Sequence, residues 1–340
     1  MSISIGGNDT EHTSSTCNDY DPTQYVFLPM AYTVVLCIGL PGNAIAMVVF
    51  LHNGKIKKAI RIYLINLTFA DILFNLTLPL WIDYYFNGGN WNVLNGSVFS
   101  EILCRVAGAT YYLTTYSAIT FMMLISVNRH YTIQMSKSRL PLNTRQGALA
   151  TCIITWLVWI CCAVPSLVER QTFQTSRSVT KCFEDFSGSQ SYSYAMIIYV
   201  SISFLVVLAS YISIMKNLSL PLSRSRGAHR RLAKAMVLGM LLVFVICIAP
   251  YHLTIVAWVA SRTSSVGCKP LSILDVMHRI NCALLSLNSC IDPVIYCFSV
   301  KRFRTDLLKI WHKILRWVPL HEAIHEGQVS HIRSSSFTSS

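Results

Sequence analysis

Residues 27–51 read FLPMAYTVVLCIGLPGNAIAMVVFL, from Phe27 to Leu51, without one charged side chain. A helix rises about 1.5 Å per residue, so roughly 20 apolar residues cross the hydrocarbon core of a bilayer. This stretch is long enough. Six more follow it, at Ile62–Leu80, Val106–Val127, Gly147–Val168, Ser191–Met215, Ala235–Ala260 and Ile280–Val300. The acidic residues inside them are Asp71 and Asp292. Across all 340 residues, 53% are hydrophobic and 13% charged, where an ordinary soluble domain carries about 25% charged. The pattern predicts an all-α membrane protein, a seven-transmembrane-helix bundle over residues 25–300.

The formal net charge of +13 would suit nucleic acid or an acidic partner, but its placement does not. Of the 28 Lys and Arg residues, 21 lie in the segments that follow the first, third, fifth and seventh spans. That asymmetry puts those segments in the cytoplasm and the N-terminus outside. We therefore expect membrane lipids as partners and no nucleic acid, with the chain in the plasma membrane. Residues 1–24 form a polar extracellular tail in which no cleaved leader is expected. Asn8 and Asn95 head sequons on the outer side and are expected to carry glycans, whereas Asn66, Asn75 and Asn217 lie in or below the membrane. Four cysteines fall outside, Cys17, Cys104, Cys182 and Cys268, enough for two disulfides with three pairings open. After the last span, residues 301–317 collect Phe303, Leu307, Ile310, Trp311 and Ile314 on one face with basic residues elsewhere, a short amphipathic eighth helix on the inner leaflet. Residues 318–340 form a cytoplasmic tail ending in a Ser/Thr run, Ser334 to Ser340, open to phosphorylation.

Short motifs fall at set places along these spans. Gly42-Asn43 is in the first; Asn66-Leu-Thr-Phe-Ala-Asp71 opens the second and Leu78-Pro79-Leu80-Trp81 closes it. Cys104 begins the third and Asn128-Arg129-His130 ends it; Trp156 is in the fourth. Cys247-Ile-Ala-Pro250 and Asp292-Pro-Val-Ile-Tyr296 mark the sixth and seventh, and Lys301-Arg302-Phe303 follows. Each triplet alone is weak. In this order the set resembles the rhodopsin-like (class A) G-protein-coupled receptor family, over residues 25–312. Within that family Tyr84-Tyr85, Gly89-Asn90-Trp91, Asn143-Thr-Arg145, Lys181-Cys-Phe-Glu184 and the run to Phe298 are similar to the platelet-activating factor receptor group.

The resemblance implies roles that composition does not. The expected bridge is Cys104–Cys182, with Cys17–Cys268 as a second that resembles the additional bridge of neighbouring branches. Arg129 would meet a heterotrimeric G protein, and the phosphorylated tail would meet arrestin. Asn128 stands where the family has an acid beside Arg129, and Arg230 where it often has Glu. Phe244, Asp292, Pro293 and Tyr296 belong to the activation machinery, with Pro250 kinking the sixth span; the usual Trp is Ile248. An allosteric sodium ion is implied at Asp71, with Asn43, Thr114, Asn288, Ser289 and Asp292, although Ala118 stands where a hydroxyl is usual. The other reading of Asp71 and Asp292 is a carboxyl pair sharing a proton, because an unpartnered Asp at the centre of a membrane helix costs roughly 2.5–3.5 kcal/mol. No other cofactor is expected.

The ligand cavity is expected among Trp81, Tyr111, Tyr112, Thr115, Tyr199, Tyr251, His252, Ile255, His278 and Arg279, with Glu184 from the outer loop. Tyr111 replaces the Asp that amine receptors use, and the seventh span has no Lys for a retinal Schiff base. Aromatic walls with Arg279 and His252 suit an anionic head on a greasy body, and an aromatic cage suits a choline-type head. The expected function is a receptor for a platelet-activating-factor-like phospholipid, with a nucleotide, lysolipid or peptide as alternatives. A heptahelical hydrolase would cluster metal ligands inside the bilayer, and a transporter would repeat its topology; the sequence has neither pattern, so no enzyme is expected.

Overall fold

The computed structural model describes residues 24–52, 58–91, 98–134, 141–169, 171–174, 179–182, 190–218, 224–263 and 268–299, then 303, 305 and 307–309. Long helices account for nearly all of them. They are α1 (Gln24–His52), α2 (Ala59–Phe86), α3 (Val98–Gln134), α4 (Arg145–Val168), α5 (Gln190–Leu218), α6 (Arg224–Val243), α7 (Ala249–Thr263) and α8 (Cys268–Ser299). A π-helical turn, Phe244–Ile248, joins α6 to α7, so these make one continuous sixth span and α8 is the seventh. The first five expected spans each fall within one of these helices, the sixth within α6, the π turn and α7 together, and the seventh on α8 as far as Ser299, the last residue described there.

Six of the spans are long and apolar enough to cross a bilayer by length and composition. The exception among the seven is α3, which carries Thr114, Thr115, Thr120 and Ser126 on its inner turns. It can do so because it is the central helix, packed by α2, α4, α5 and α6. These hydroxyls donate back to carbonyls one turn earlier, at 2.7–2.9 Å, which removes the cost of burying them. The perimeter is the reverse of a soluble protein: Ile153, Ile154, Leu157 and Val164 of α4, and Ile198, Ile202 and Leu205 of α5, face outward. Contiguous exposed apolar side chains of this extent mark a lipid-facing belt. The protein is a multi-pass membrane protein with α8 closing the ring against α1.

One end of the bundle carries a short antiparallel hairpin, β1 (Thr172–Gln174) paired with β2 (Thr180–Cys182), with Thr172 opposite Cys182. The Cys104–Cys182 bond fastens it to α3, with Cα atoms 5.9 Å apart. Trp91 N–H donates to the Thr180 carbonyl at 2.7 Å, and Thr180 N–H to Asn90 Oδ1 at 3.0 Å. The turn that brings Asn90 there needs glycine. Gly89 has φ +71°, and a Cβ there would lie 2.7 Å from Lys181 Nζ. Glu101 fixes the first strand: its carboxylate accepts from the Thr172 hydroxyl, from Arg105 Nε at 2.6 Å and from Gln171 N–H at 3.0 Å. Burial works to raise the Glu101 pKa, and these bonds outweigh it, so the carboxyl lies below its ordinary value.

Of the expected eighth helix, residues 303, 305 and 307–309 are described and helical. Phe303 is buried, its ring 5.4 Å from Phe50 and 6.1 Å from Tyr296. Asn8, Asn95, Cys17, Glu184, the side chain of Cys268 and the tail lie outside the described residues.

Candidate functional site

A cavity of about 220 Å³ opens at the hairpin end of the bundle. From the expected set, Trp81, Tyr111, Tyr251, His278 and Arg279 line it. So do residues that the sequence reading does not assign to it: Tyr32, Tyr85, Trp258, Asp275 and Cys282, with Cys182 of the hairpin as part of the wall. The helices explain the composition. Pro79 lies inside α2, in the last turns of that helix, from which Trp81 and Tyr85 reach the cavity. Asp275, His278, Arg279 and Cys282 recur at helical spacing on one face of α8. Trp258 of α7 lies parallel to His278, ring centroids 6.0 Å apart at 10°, and Tyr251 meets the same imidazole at 5.3 Å. The cavity thus offers a guanidinium and a carboxylate, one turn apart, in aromatic walls.

The remaining expected residues lie elsewhere. Tyr112 sits behind the wall, stacked on Tyr116 at 6.0 Å. Tyr199 pairs its hydroxyl with Thr120 Oγ1 at 2.6 Å and packs edge-on to Trp159. Ile255 is half-buried in the central packing. His252 is buried with its ring against Tyr116 and is not part of the cavity wall, so Arg279 and His252 do not converge there. The physical reason is the π turn: it holds more residues per turn than an α-helix, so every side chain after it is rotated from the α-helical count.

Deeper in the bundle lies a small polar chamber of about 10 Å³, lined by Asp71, Thr114, Thr115, Ala118, Asn288 and Ser289, among others. That is room for one water-sized species. Asn43 Nδ2 donates to the Ser289 carbonyl at 2.7 Å, and Asn75 Nδ2 to Ser289 Oγ at 3.2 Å, so α1, α2 and α8 are cross-linked around it. Asp71 Oδ2 and Asn288 Oδ1 are buried there without a hydrogen-bond partner. A carboxylate, an amide oxygen and hydroxyls form an oxygen-only donor set of the kind hard cations take, so these residues fit a small cation. Asp292 is fully buried beside the chamber and close enough to Asp71 for the two carboxyls to interact. One turn on, Gly42 lets α1 approach Pro293: a Cβ there would lie 3.3 Å from Pro293 Cγ.

At the end opposite the hairpin, α3 and α6 touch. Arg129 Nε donates to Met236 Sδ at 3.3 Å and Ser126 Oγ to Met240 Sδ at 3.5 Å. Among the described residues no carboxylate is within salt-bridge range of Arg129. Asn128 is buried and donates to Asn143 Oδ1 at 2.7 Å. Pro250 lies just beyond the π turn, in which Ala249 N–H reaches back to the Phe244 carbonyl. Tyr296 is fully buried, edge-on to Phe50 at 5.4 Å.

Residues 42–296 match the family model of the seven-transmembrane receptors (rhodopsin family). The platelet-activating factor receptor of Homo sapiens is 31% identical over 304 residues, spanning 86% of this chain and 87% of that one. Its Mus musculus counterpart is 32% identical over 313 residues, 87% and 89% of the two chains. A purinoceptor of Xenopus laevis is 28% identical over 311 residues, 89% of this chain and 57% of that one.

Proposed function

We infer that this chain, which belongs to the rhodopsin family of seven-transmembrane receptors, is a plasma-membrane receptor for an extracellular phospholipid mediator that it reports to heterotrimeric G proteins. The observation that carries this is the pairing of Asp275 and Arg279 on one face of α8 inside an aromatic cavity. A phosphate finds a planar, always-charged partner in Arg279. A quaternary ammonium finds Asp275 and the faces of Trp258, Tyr32 and Tyr85. The likeness to receptors named for platelet-activating factor supports the same ligand class. In this reading the hairpin end faces outside, with Asn8 and Asn95 glycosylated and Cys17 bonded to Cys268. The Arg129 end then meets the G protein and the phosphorylated tail meets arrestin. Asp71, Thr114, Asn288 and Ser289 would hold a sodium ion, with Asn43 and Asp292 alongside, and the ion would offset the buried carboxylate. The chain signals by changing shape and carries out no catalysis.

A nucleotide is the second reading. The parallel Trp258 and His278 rings beside Arg279 suit a base and its phosphates, and one relative is a purinoceptor. Calcium and cyclic-AMP responses of transfected cells to ether phospholipids, lysolipids and nucleotides separate the two. The lipid reading expects responses to the intact ether phospholipid at the lowest concentration; a response confined to nucleotides overturns it.

A further inference from the structure

We propose that Tyr116 and His252 form the contact through which the cavity sets the state of the π turn in the sixth span. Both act as positioning residues, and the proposal rests on the receptor reading above.

The π turn is the weak point of that span. Pro250 has no N–H to give to the preceding turn, and Ala249 N–H reaches the Phe244 carbonyl five residues back. A stretch like this can pass between π and α geometry with little loss of backbone bonding. Something must therefore hold it in one register. Ile248, its last residue, is fully buried and apolar and offers no side-chain hydrogen bond.

His252 supplies the hold. Its Nδ1 lies 2.9 Å from the Ile248 carbonyl and its Nε2 lies 3.4 Å from the Tyr116 hydroxyl. A carbonyl only accepts, so Nδ1 carries the proton; Nε2 of that neutral tautomer accepts, and Tyr116 donates. One tautomer satisfies both bonds. They join α3 to the end of the π turn.

The two sides of this contact differ in rigidity. Tyr116 is 2% exposed, its ring between Tyr112 at 6.0 Å and Trp159 at 5.1 Å, both near parallel. Trp159 Nε1 donates to Thr120 Oγ1 at 2.8 Å, which ties that stack back to α3. The hydroxyl therefore moves with α3. His252 follows Tyr251 in sequence, and Tyr251 lines the cavity against His278. From the other side Asn281 Nδ2 of α8 donates to the Pro250 carbonyl at 3.1 Å. A ligand that displaces Tyr251 or α8 thus moves His252 relative to a fixed Tyr116. At 3.4 Å the bond is already longer than the ordinary range of about 2.7–3.2 Å, so a small outward shift of α7 breaks it.

The test uses full-length receptor in lipid nanodiscs without agonist, as wild type, Tyr116→Phe, His252→Phe, His252→Gln and the double Phe variant. Hydrogen exchange of the backbone amides of 244–252, Pro250 excepted, is the readout, with α1 and α4 amides as the control for global loosening. Each single Phe variant is expected to speed exchange at 244–252 by roughly three- to tenfold, leaving α1 and α4 unchanged. The double variant should be no faster than His252→Phe alone, which already removes the bond to Tyr116 together with that to the Ile248 carbonyl. His252→Gln keeps a hydrogen-bonding group near the Nε2 position, within reach of Tyr116, and should retain more of the protection than His252→Phe. Wild-type exchange in Tyr116→Phe, additive losses in the pair, or equal losses in the Gln and Phe variants of His252 overturns the proposal. Amide exchange needs no ligand, so failure of the receptor reading would show separately, as wild-type protein that drives no nucleotide exchange on any G protein.

Discussion

Asn128 donates its side-chain amide to Asn143 Oδ1 at 2.7 Å, while its neighbour Arg129 turns to the thioether of Met236. The two residues of this motif are therefore held by different elements, Asn128 by the 3₁₀ turn Pro141–Asn143 and Arg129 by α6. A thioether is a weak, uncharged acceptor, so it restrains a guanidinium less firmly than the opposite charge of a carboxylate would.

Asn128→Asp should lower ligand-independent signalling and reduce agonist potency. Asn143 can turn its amide to donate to the new carboxylate, and the added negative charge lies next to Arg129. A change of about 1.4 kcal/mol in the resting state is tenfold in the active fraction. Basal second-messenger output at matched surface expression checks this; equal or higher output would place the restraint elsewhere.

Met236→Leu keeps the volume and removes the acceptor of Arg129. Basal output should rise by roughly two- to fivefold, the equivalent of about 0.5–1 kcal/mol for a weak hydrogen bond. Unchanged output would mean that the Arg129–Met236 contact is packing alone.

Much of this architecture is legible in the sequence because the bilayer is a demanding solvent. A run without charge such as 27–51 has few alternatives to a spanning helix. The amphipathic turns beyond the apolar runs are harder to read. The seventh apolar run starts at Ile280, whereas α8 begins at Cys268, and Asp275 lies in the turns between. Trp258 falls within the sixth apolar run, but its direction depends on the π turn before it. His252, which the sequence reading assigns to the cavity, is misplaced for the same cause: adjacent to a cavity residue, it faces α3 once the turn has rotated the helix. The Asn128–Asn143 bond joins two segments, and a single sequence carries no signal for it.

Removing the Cys104–Cys182 bond should cost about 2–5 kcal/mol, by analogy with bridges in small secreted domains. Cys104→Ser is expected to reduce surface expression and lower the thermal midpoint of purified receptor. Recovery of Cys104 as a free thiol in mature wild-type protein would remove the bridge from the account.

The Glu101 anchor predicts a pH effect of definite sign. A carboxyl whose folded pKa lies below its ordinary, unfolded value of 4.5 adds stability that is complete above that value. This contribution is lost as pH falls through the lower, folded pKa. The midpoint difference between wild type and Glu101→Gln should therefore be constant from about pH 7 to pH 5 and shrink below about pH 4. A gap that widens on acidification would contradict the assignment.

Direct binding of platelet-activating factor to purified full-length receptor in nanodiscs, wild type against Arg279→Ala, bears most closely on the central claim. The account predicts saturable binding by wild type that weakens by about 1.5–3 kcal/mol in the variant, roughly 10- to 150-fold, as for loss of a charge-assisted hydrogen bond. No saturable lipid binding by wild type, or the same affinity in Arg279→Ala, would contradict it.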